Sequence, residues 1–134
     1  MKKLIFLMLL CMSLGCSKNN DSNATDVGVP FDQLGSAPRV DVPKENFPEW
    51  LVVRINDYYE SRPPSFCKIQ IFRGKLNAQS VYFIVDTYIH LSTVFLCEFF
   101  TETGERIVNT SDCRAASKNW ILIYEYGEFA LETV

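Results

Sequence analysis

The apolar and polar positions of this chain change their period once, at a pair of prolines beginning with Pro63. Before that point Leu51, Ile55 and Tyr58 recur at the three-to-four-residue spacing of a helix, with polar side chains mainly between them. Asn46 is a suitable helix-capping residue. The pattern therefore predicts one helix that begins near Asn46, ends before Pro63 and packs its apolar face into a core.

After the prolines, the apolar stretches show the alternation or the short, bounded runs of β-strands. A turn around Gly74 separates the first two stretches, and a turn with Gly104 in the left-handed position joins the next two. Residues 110–119 are polar and are predicted to form a loop. The five predicted strands are residues 66–72, 80–86, 93–101, 105–109 and 120–126. The fold class is therefore α+β, with one N-terminal helix packed on an antiparallel sheet of about five strands.

The first third of the chain differs in composition from the rest. Residues 16–44 are rich in Ser, Asn, Asp, Gly and Pro and have few consecutive apolar positions. This composition predicts a flexible tether. We therefore divide the chain into a signal peptide (1–15), a tether (16–44) and a single domain (45–134).

A basic start and an apolar run over residues 4–10 precede Gly15 and Cys16. The run is too short to span a bilayer, and its layout is typical of a secretory signal. With Cys16 directly after the small Gly15, it resembles a bacterial lipoprotein signal, which implies lipid on Cys16. Ser17, rather than aspartate, resembles an outer-membrane sorting signal. The alternative is an ordinary signal peptide that is cut after Cys16.

Fragments of residues 47–108 are similar to a family of small bacterial lipoproteins of unknown function. The similarity lies in the stretch from Phe47 through Pro48 and Trp50 to Leu51, in a return strand that starts at Val81, and in residues 100–107 around the second turn. It implies an N-terminal helix followed by an antiparallel sheet, and it implies no activity.

Charge and cysteine content limit the partners. With 13 basic against 16 acidic residues and a formal charge of −3, we expect no nucleic-acid partner. If Cys16 carries lipid, Cys67, Cys97 and Cys113 remain, and an oxidising compartment favours one disulfide. The register of the second predicted hairpin brings Cys97 near the loop with Cys113, which favours that pair over Cys67 with Cys113. No Cys or His cluster indicates a metal site.

Catalytic candidates are few. His90 is the single histidine. It could in principle act as a general base that takes the proton from a thiol, Cys97 or Cys113. Asp86 or Asp112 would then be the third member of a Cys-His-Asp group. No local motif supports such a group, so we expect no enzymatic activity, no catalytic residue and no cofactor.

Two functions from different classes remain besides the enzyme. The first is a binding module, in which the sheet face away from the helix presents Lys68, Gln70, Tyr82, Tyr124 and Tyr126 to a protein or peptide. The second is an accessory structural subunit of an envelope complex, docked through an exposed sheet edge. In both, the protein is held at the cell envelope by lipid on Cys16.

Overall fold

The computed structural model describes residues 28–89 and 93–128. The signal sequence, Cys16 and His90 therefore lie outside the described residues. The described chain is α+β, with four antiparallel strands in the order β3-β2-β1-β4. The strands are β1 (Cys67–Leu76), β2 (Gln79–Ile89), β3 (Thr93–Thr101) and β4 (Lys118–Tyr126).

The predicted strand over residues 105–109 is wrong. After the turn at Gly104, whose left-handed φ of 88° is confirmed, the returning chain is bonded to β3 over a few residues only. The last bond of this pairing joins Ile107 N to Phe99 O at 2.8 Å. The chain then forms α2 (Thr110–Ala116) where a loop was predicted. The Asn109 side chain accepts from Asp112 N, a local cap that competes with strand continuation.

The β1–β2 hairpin is longer than the alternation predicted. The ladder runs from Cys67 opposite Tyr88 to Leu76 opposite Gln79, and the turn consists of Asn77 and Ala78, both with positive φ. Gly74, where a turn was predicted, lies inside β1 and faces Val81. Added there, a Cβ would lie 2.5 Å from the Trp120 ring. Glycine is therefore required for close packing and not for a turn.

The helix predicted from near Asn46 to before Pro63 is shorter in the structure and only partly α-helical. It consists of α1 (Glu49–Arg54), a helix of 6 residues, followed by a π-helical turn over Ile55–Tyr59. A π turn contains more residues than an α turn, so it advances the core-facing position by one. Tyr59 is consequently buried beside Leu51 and Ile55, whereas Tyr58 is exposed.

One face of the sheet packs against α1 and the π turn. Ile69, Ile71 and Ile84 from the central strands meet Leu51 and Ile55 in this first core. Trp50 covers the end of the core, where its Nε1 donates to Glu102 O at 2.9 Å. Apolar burial at the centre of the sheet therefore holds the short helical segment in place.

The other face, which was predicted to be free, is covered by residues 29–37, part of the predicted tether. Phe31, in a 3₁₀ turn at Phe31–Ser36, packs on Phe83, Phe99 and Trp120. Val29 exchanges two backbone hydrogen bonds with Trp120, and Val40 N donates to Leu122 O. Residues 28–44 are therefore part of the folded domain and also close the outer edge of β4.

The three described cysteines carry free thiols, and Cys67 and Cys113 are buried. Burial raises the pKa of both. Cys113 lies on α2 and not in a loop, and it packs into a second core with Phe83, Phe99 and Trp120 on the face opposite α1. Cys97 is exposed on β3. The structure contains no Cys97–Cys113 bond, and their pairing stays a prediction for peptide mapping.

Candidate functional site

A cleft of about 240 Å³ lies where the end of α1 and the π turn meet β2 and β3. The helical side contributes Arg54, Tyr58 and Tyr59, and the sheet contributes Ile84, Asp86, Leu96 and Glu98. Asp86 and Leu96 are direct partners in the β2–β3 ladder, so both side chains project from the same sheet face. The cleft therefore lies over the edge strand β3 and its neighbour β2.

Asp86 and Arg62 form an ion pair at the base of this region. Arg62 Nη2 lies 2.9 Å from Asp86 Oδ2, with only 15% and 6% of the two side chains exposed. The guanidinium also lies over the rings of Tyr58, Tyr59 and Tyr88, at 4.8, 5.5 and 5.1 Å from their centroids. A cation among aromatic faces gains cation–π attraction, which partly replaces its lost hydration.

Each member of this ion pair has one polar atom without a hydrogen-bond partner. Asp86 Oδ1 and Arg62 Nε are the buried side-chain polar atoms that lack a partner among the described residues. Burying a polar atom without a partner costs roughly 1–3 kcal/mol, so native proteins seldom retain such atoms without a reason. Asp86 also lines the cleft, although its unpartnered Oδ1 is itself buried out of contact with solvent.

Glu98 forms the outer polar wall of the cleft. Its carboxylate lies 3.5 Å from Arg54 Nη2 and 3.2 Å from Arg106 Nε. Arg54 also stacks over the Phe100 ring at 4.6 Å. Each carboxylate in the cleft thus has at least one arginine beside it, and the three arginines outnumber the two carboxylates.

The outer edge of β3 is open next to the cleft. Thr101 N donates to Glu105 O and Phe99 O accepts from Ile107 N, so the odd-numbered residues of β3 direct their backbone groups outward. By the same alternation Phe95 and Cys97 do so as well. In the part of the chain that the structure describes, no strand pairs with this edge from Thr93 to Glu98.

The three tyrosines predicted to bind a partner do not form a common surface. Tyr82 is only 3% exposed and lies under Trp50, with ring centroids 5.6 Å apart. Tyr124 and Tyr126 are half-buried, and their hydroxyls bond to Glu60 Oε1 at 2.8 Å and to Arg62 O at 2.6 Å. Burial and the bond to Glu60 raise the pKa of Tyr124. These two tyrosines hold the turn after α1 against β4.

His90 of the possible Cys-His-Asp group lies outside the described residues, and the structure does not bring Asp86 together with the candidate thiols. Asp86 lies on the helix face of the sheet, whereas Cys97 alternates with Leu96 onto the opposite face. Cys113 packs on that opposite face too, and Asp112 bonds to Asn109. Among residues 28–89 and 93–128 there is no cluster of three potential metal ligands and no helix long and apolar enough to cross a membrane.

Sequence reasoning missed Arg62 and the role of Asp86, although one signal was present. Tyr82, Ile84 and Asp86 occupy alternate positions of β2 and share a face. A carboxylate in register with buried side chains needs a cation or donors nearby. Its partner could not be identified, because Arg62 lies 24 positions earlier, in a turn without periodic pattern.

We expect alkaline pH to destabilise the fold through Tyr59. Burial raises the pKa of Tyr59 from 10.0 to about 12. The unfolded chain ionises first, so stability is intact below pH 10 and falls by about 3 kcal/mol as pH rises through the folded pKa. Urea unfolding over this range measures the loss. Tyr59→Phe should show a smaller fall, and an equal fall in both proteins would contradict the assignment.

No protein-family model, curated protein or solved structure matches this chain.

Proposed function

We propose that this protein is a lipid-anchored binding module of a bacterial cell envelope, which accepts an extended segment of a partner protein along the open edge of β3. The observation that carries the proposal is the asymmetry of the two sheet edges. The chain's own residues 28–40 close the β4 edge, whereas no strand among the described residues pairs with the outer edge of β3 from Thr93 to Glu98.

An open edge offers a row of backbone donors and acceptors that an incoming strand can pair with. Leu96, 49% exposed, and Tyr58, 51% exposed, provide apolar surface next to that edge. Main-chain pairing would supply affinity, and the adjoining cleft would select the side chain.

The anchor is the second part of the proposal. Gly15 directly before Cys16, after a basic start and a short apolar run, supports lipidation of Cys16. Each buried methylene contributes about 0.8 kcal/mol, so two or more acyl chains hold a protein firmly on a membrane. Ser17, which stands after Cys16 in place of aspartate, supports attachment to the outer membrane.

Site-specific photo-cross-linking tests the docking edge. Benzoylphenylalanine is placed at Leu96 in the full-length protein in its native cells, and at exposed Gln79 as the control. Gln79 lies roughly 20 Å along the sheet from Leu96. We expect a protein adduct from position 96 only, with the cross-linked peptide of the partner identified by mass spectrometry. Equal adducts from both positions, or none from position 96, would contradict edge docking.

Cys97→Pro in the same protein removes an outward N–H without touching a β2 bond. We expect the adduct to decrease at least about fivefold, since a main-chain bond is lost and the ring obstructs the incoming strand. Cys97→Val keeps the N–H and is the matched control. A similar decrease in both variants would mean that the thiol, and not the edge, is recognised.

The identity of the partner separates the binding module from the accessory subunit. If the protein cross-linked at position 96 is a secreted protein or peptide, the binding module is supported. If it is a resident membrane protein that co-purifies in constant ratio, the accessory subunit is supported.

Lipidation of Cys16 is tested with a fatty acid that carries a click handle. We expect the wild-type protein to take up label and to fractionate with membranes, and Cys16→Ala to lose both properties. Equal label in the two proteins would disprove the anchor. Protease treatment of intact cells then shows whether the domain faces outward.

A further inference from the structure

Four basic side chains form no ion pair with a carboxylate among the described residues. They are Arg73, Lys75, Arg114 and Lys118, whereas each of the other described lysines and arginines has an acidic partner. Arg73 and Lys75 lie near the end of β1, Lys118 begins β4, and Arg114 precedes it in α2. The bases without a carboxylate are therefore gathered toward the end of the sheet that carries the β1–β2 turn.

Lys75 and Lys118 face each other at this end. They are partners in the β1–β4 ladder, and both are exposed. Like charges at directly opposite positions destabilise a sheet. Lys75 Nζ donates to Ser80 Oγ at 3.0 Å, a bond that neutralises no charge. Glu102 and Glu105 follow β3, which is two strands from β1, so their backbone lies roughly 10 Å from that of Lys75. The lysine pair therefore suits an anion from outside the described chain.

The chain that leads to the proposed lipid anchor enters the domain at the same place. Gly28 packs against the backbone of Asn119, the residue after Lys118, so closely that an added Cβ would collide with it. The chain from Cys16 to Gly28 can span at most about 40 Å. The opposite end of β1, near Lys68, lies about 23 Å further along the sheet. The end with the lysine pair is therefore the nearer one to the lipid.

These features favour an anionic membrane surface as the partner. An anchor would keep the domain beside a bilayer, so lipid headgroups are present at high effective concentration. Each basic side chain near an anionic bilayer strengthens binding roughly fivefold. The whole chain has a formal charge of −3, but salt screens charges beyond about 8 Å, so the lysine pair acts locally.

We propose that the end of the sheet with Lys75 and Lys118 rests on the bilayer that holds the anchor, where the two lysines contact phosphate groups of anionic lipids. This inference rests on the proposed lipidation of Cys16. It also orients the domain, because Leu96 on the open edge of β3 lies roughly 20 Å from this end and stays accessible to a partner strand.

Paramagnetic relaxation measures the contact. The full-length lipidated protein, labelled with ¹⁵N, is placed in nanodiscs of phosphatidylcholine alone or with one third phosphatidylglycerol. A trace of lipid carries a gadolinium chelate on its headgroup, which broadens the NMR signals of nearby amides. We expect relaxation at Lys75 and Lys118 to be at least about fivefold faster in the anionic discs than in the neutral ones. Lys68, at the far end of β1, should be little affected in either.

Two double variants with the same change of charge make the test specific. Lys75→Gln with Lys118→Gln should bring the broadening in anionic discs down to the level of the neutral discs, since two lysines correspond to roughly 25-fold in the docking equilibrium. Lys44→Gln with Lys68→Gln changes the other two described lysines, both of which have acidic partners, and is the matched control. It should leave the broadening near Lys75 unchanged.

Equal broadening at Lys75 in the two kinds of disc, or an equal decrease in the two double variants, would overturn the inference. Asp21 and Asp26, which precede the domain, are the alternative counter-ions. If they pair with the lysines, Asp21→Asn with Asp26→Asn would shift the amide signals of Lys75 and Lys118 in neutral detergent, and lipid charge would have no effect. That result would overturn headgroup contact as well.

The proposed anchor fails on a different result. Absence of label on Cys16 would overturn the anchor and, with it, the reason for this end of the sheet to face a bilayer. Labelled protein without charge-dependent broadening would leave the anchor valid and the headgroup contact wrong.

Discussion

Replacing Asp86 by alanine should lower the free energy of unfolding by about 3–5 kcal/mol, the usual cost of removing one partner of a buried ion pair. The reason is that Arg62, of which only 15% of the side chain is exposed, would lose its counter-ion and stay buried. The three tyrosine rings around the guanidinium compensate only a fraction of that loss. Urea unfolding near neutral pH measures the change.

Two controls make this prediction specific. Asp86→Leu combined with Arg62→Met removes both charges, so the double variant should regain most of the stability that Asp86→Ala loses. Glu98→Ala removes a carboxylate whose arginine partners are partly exposed, and we expect it to cost about 1 kcal/mol or less. A loss no larger for Asp86→Ala than for Glu98→Ala would show that the Arg62 pair does not support the fold.

The other large effect is expected from Trp120→Ala, at about 3–5 kcal/mol. Trp120 is 0% exposed, and its ring lies on Gly74 in β1 and against Phe31 from the N-terminal segment. Removing it leaves a large cavity between the sheet and that segment. Its Nε1, bonded to Ser117 Oγ at 3.1 Å, is lost as well. Thermal or urea unfolding gives the magnitude.

Hydrogen exchange shows where the Trp120→Ala variant opens. The amides of Val29 and Val40 bond to the backbone of β4, so both should exchange faster when the indole is gone. Val108→Ala, at a residue 89% exposed, is the control and should change neither stability nor exchange. Unchanged protection at Val29 would contradict the inclusion of residues 28–44 in the core.

The candidate site was only partly predictable. Alternation in β2 places Asp86 among buried side chains, and this could have marked it as a position needing a partner. The alternation does not show that Arg62 is that partner, or that one oxygen stays unpartnered. The open edge of β3 could not be predicted from the sequence either. Strand order depends on which strands pair in space and not on the apolar pattern within each strand.

By itself, the sequence determined the α+β class, most strand positions and the left-handed Gly104, because these depend on interactions between near neighbours. Tertiary packing decided the rest. The π turn places Tyr59 rather than Tyr58 in the core, and contacts with Trp120 order a segment whose composition is typical of a tether. In these places burial of apolar surface against distant strands outweighs local preference, since propensities are worth tenths of a kcal/mol and a buried aromatic side chain about 1.5–3 kcal/mol.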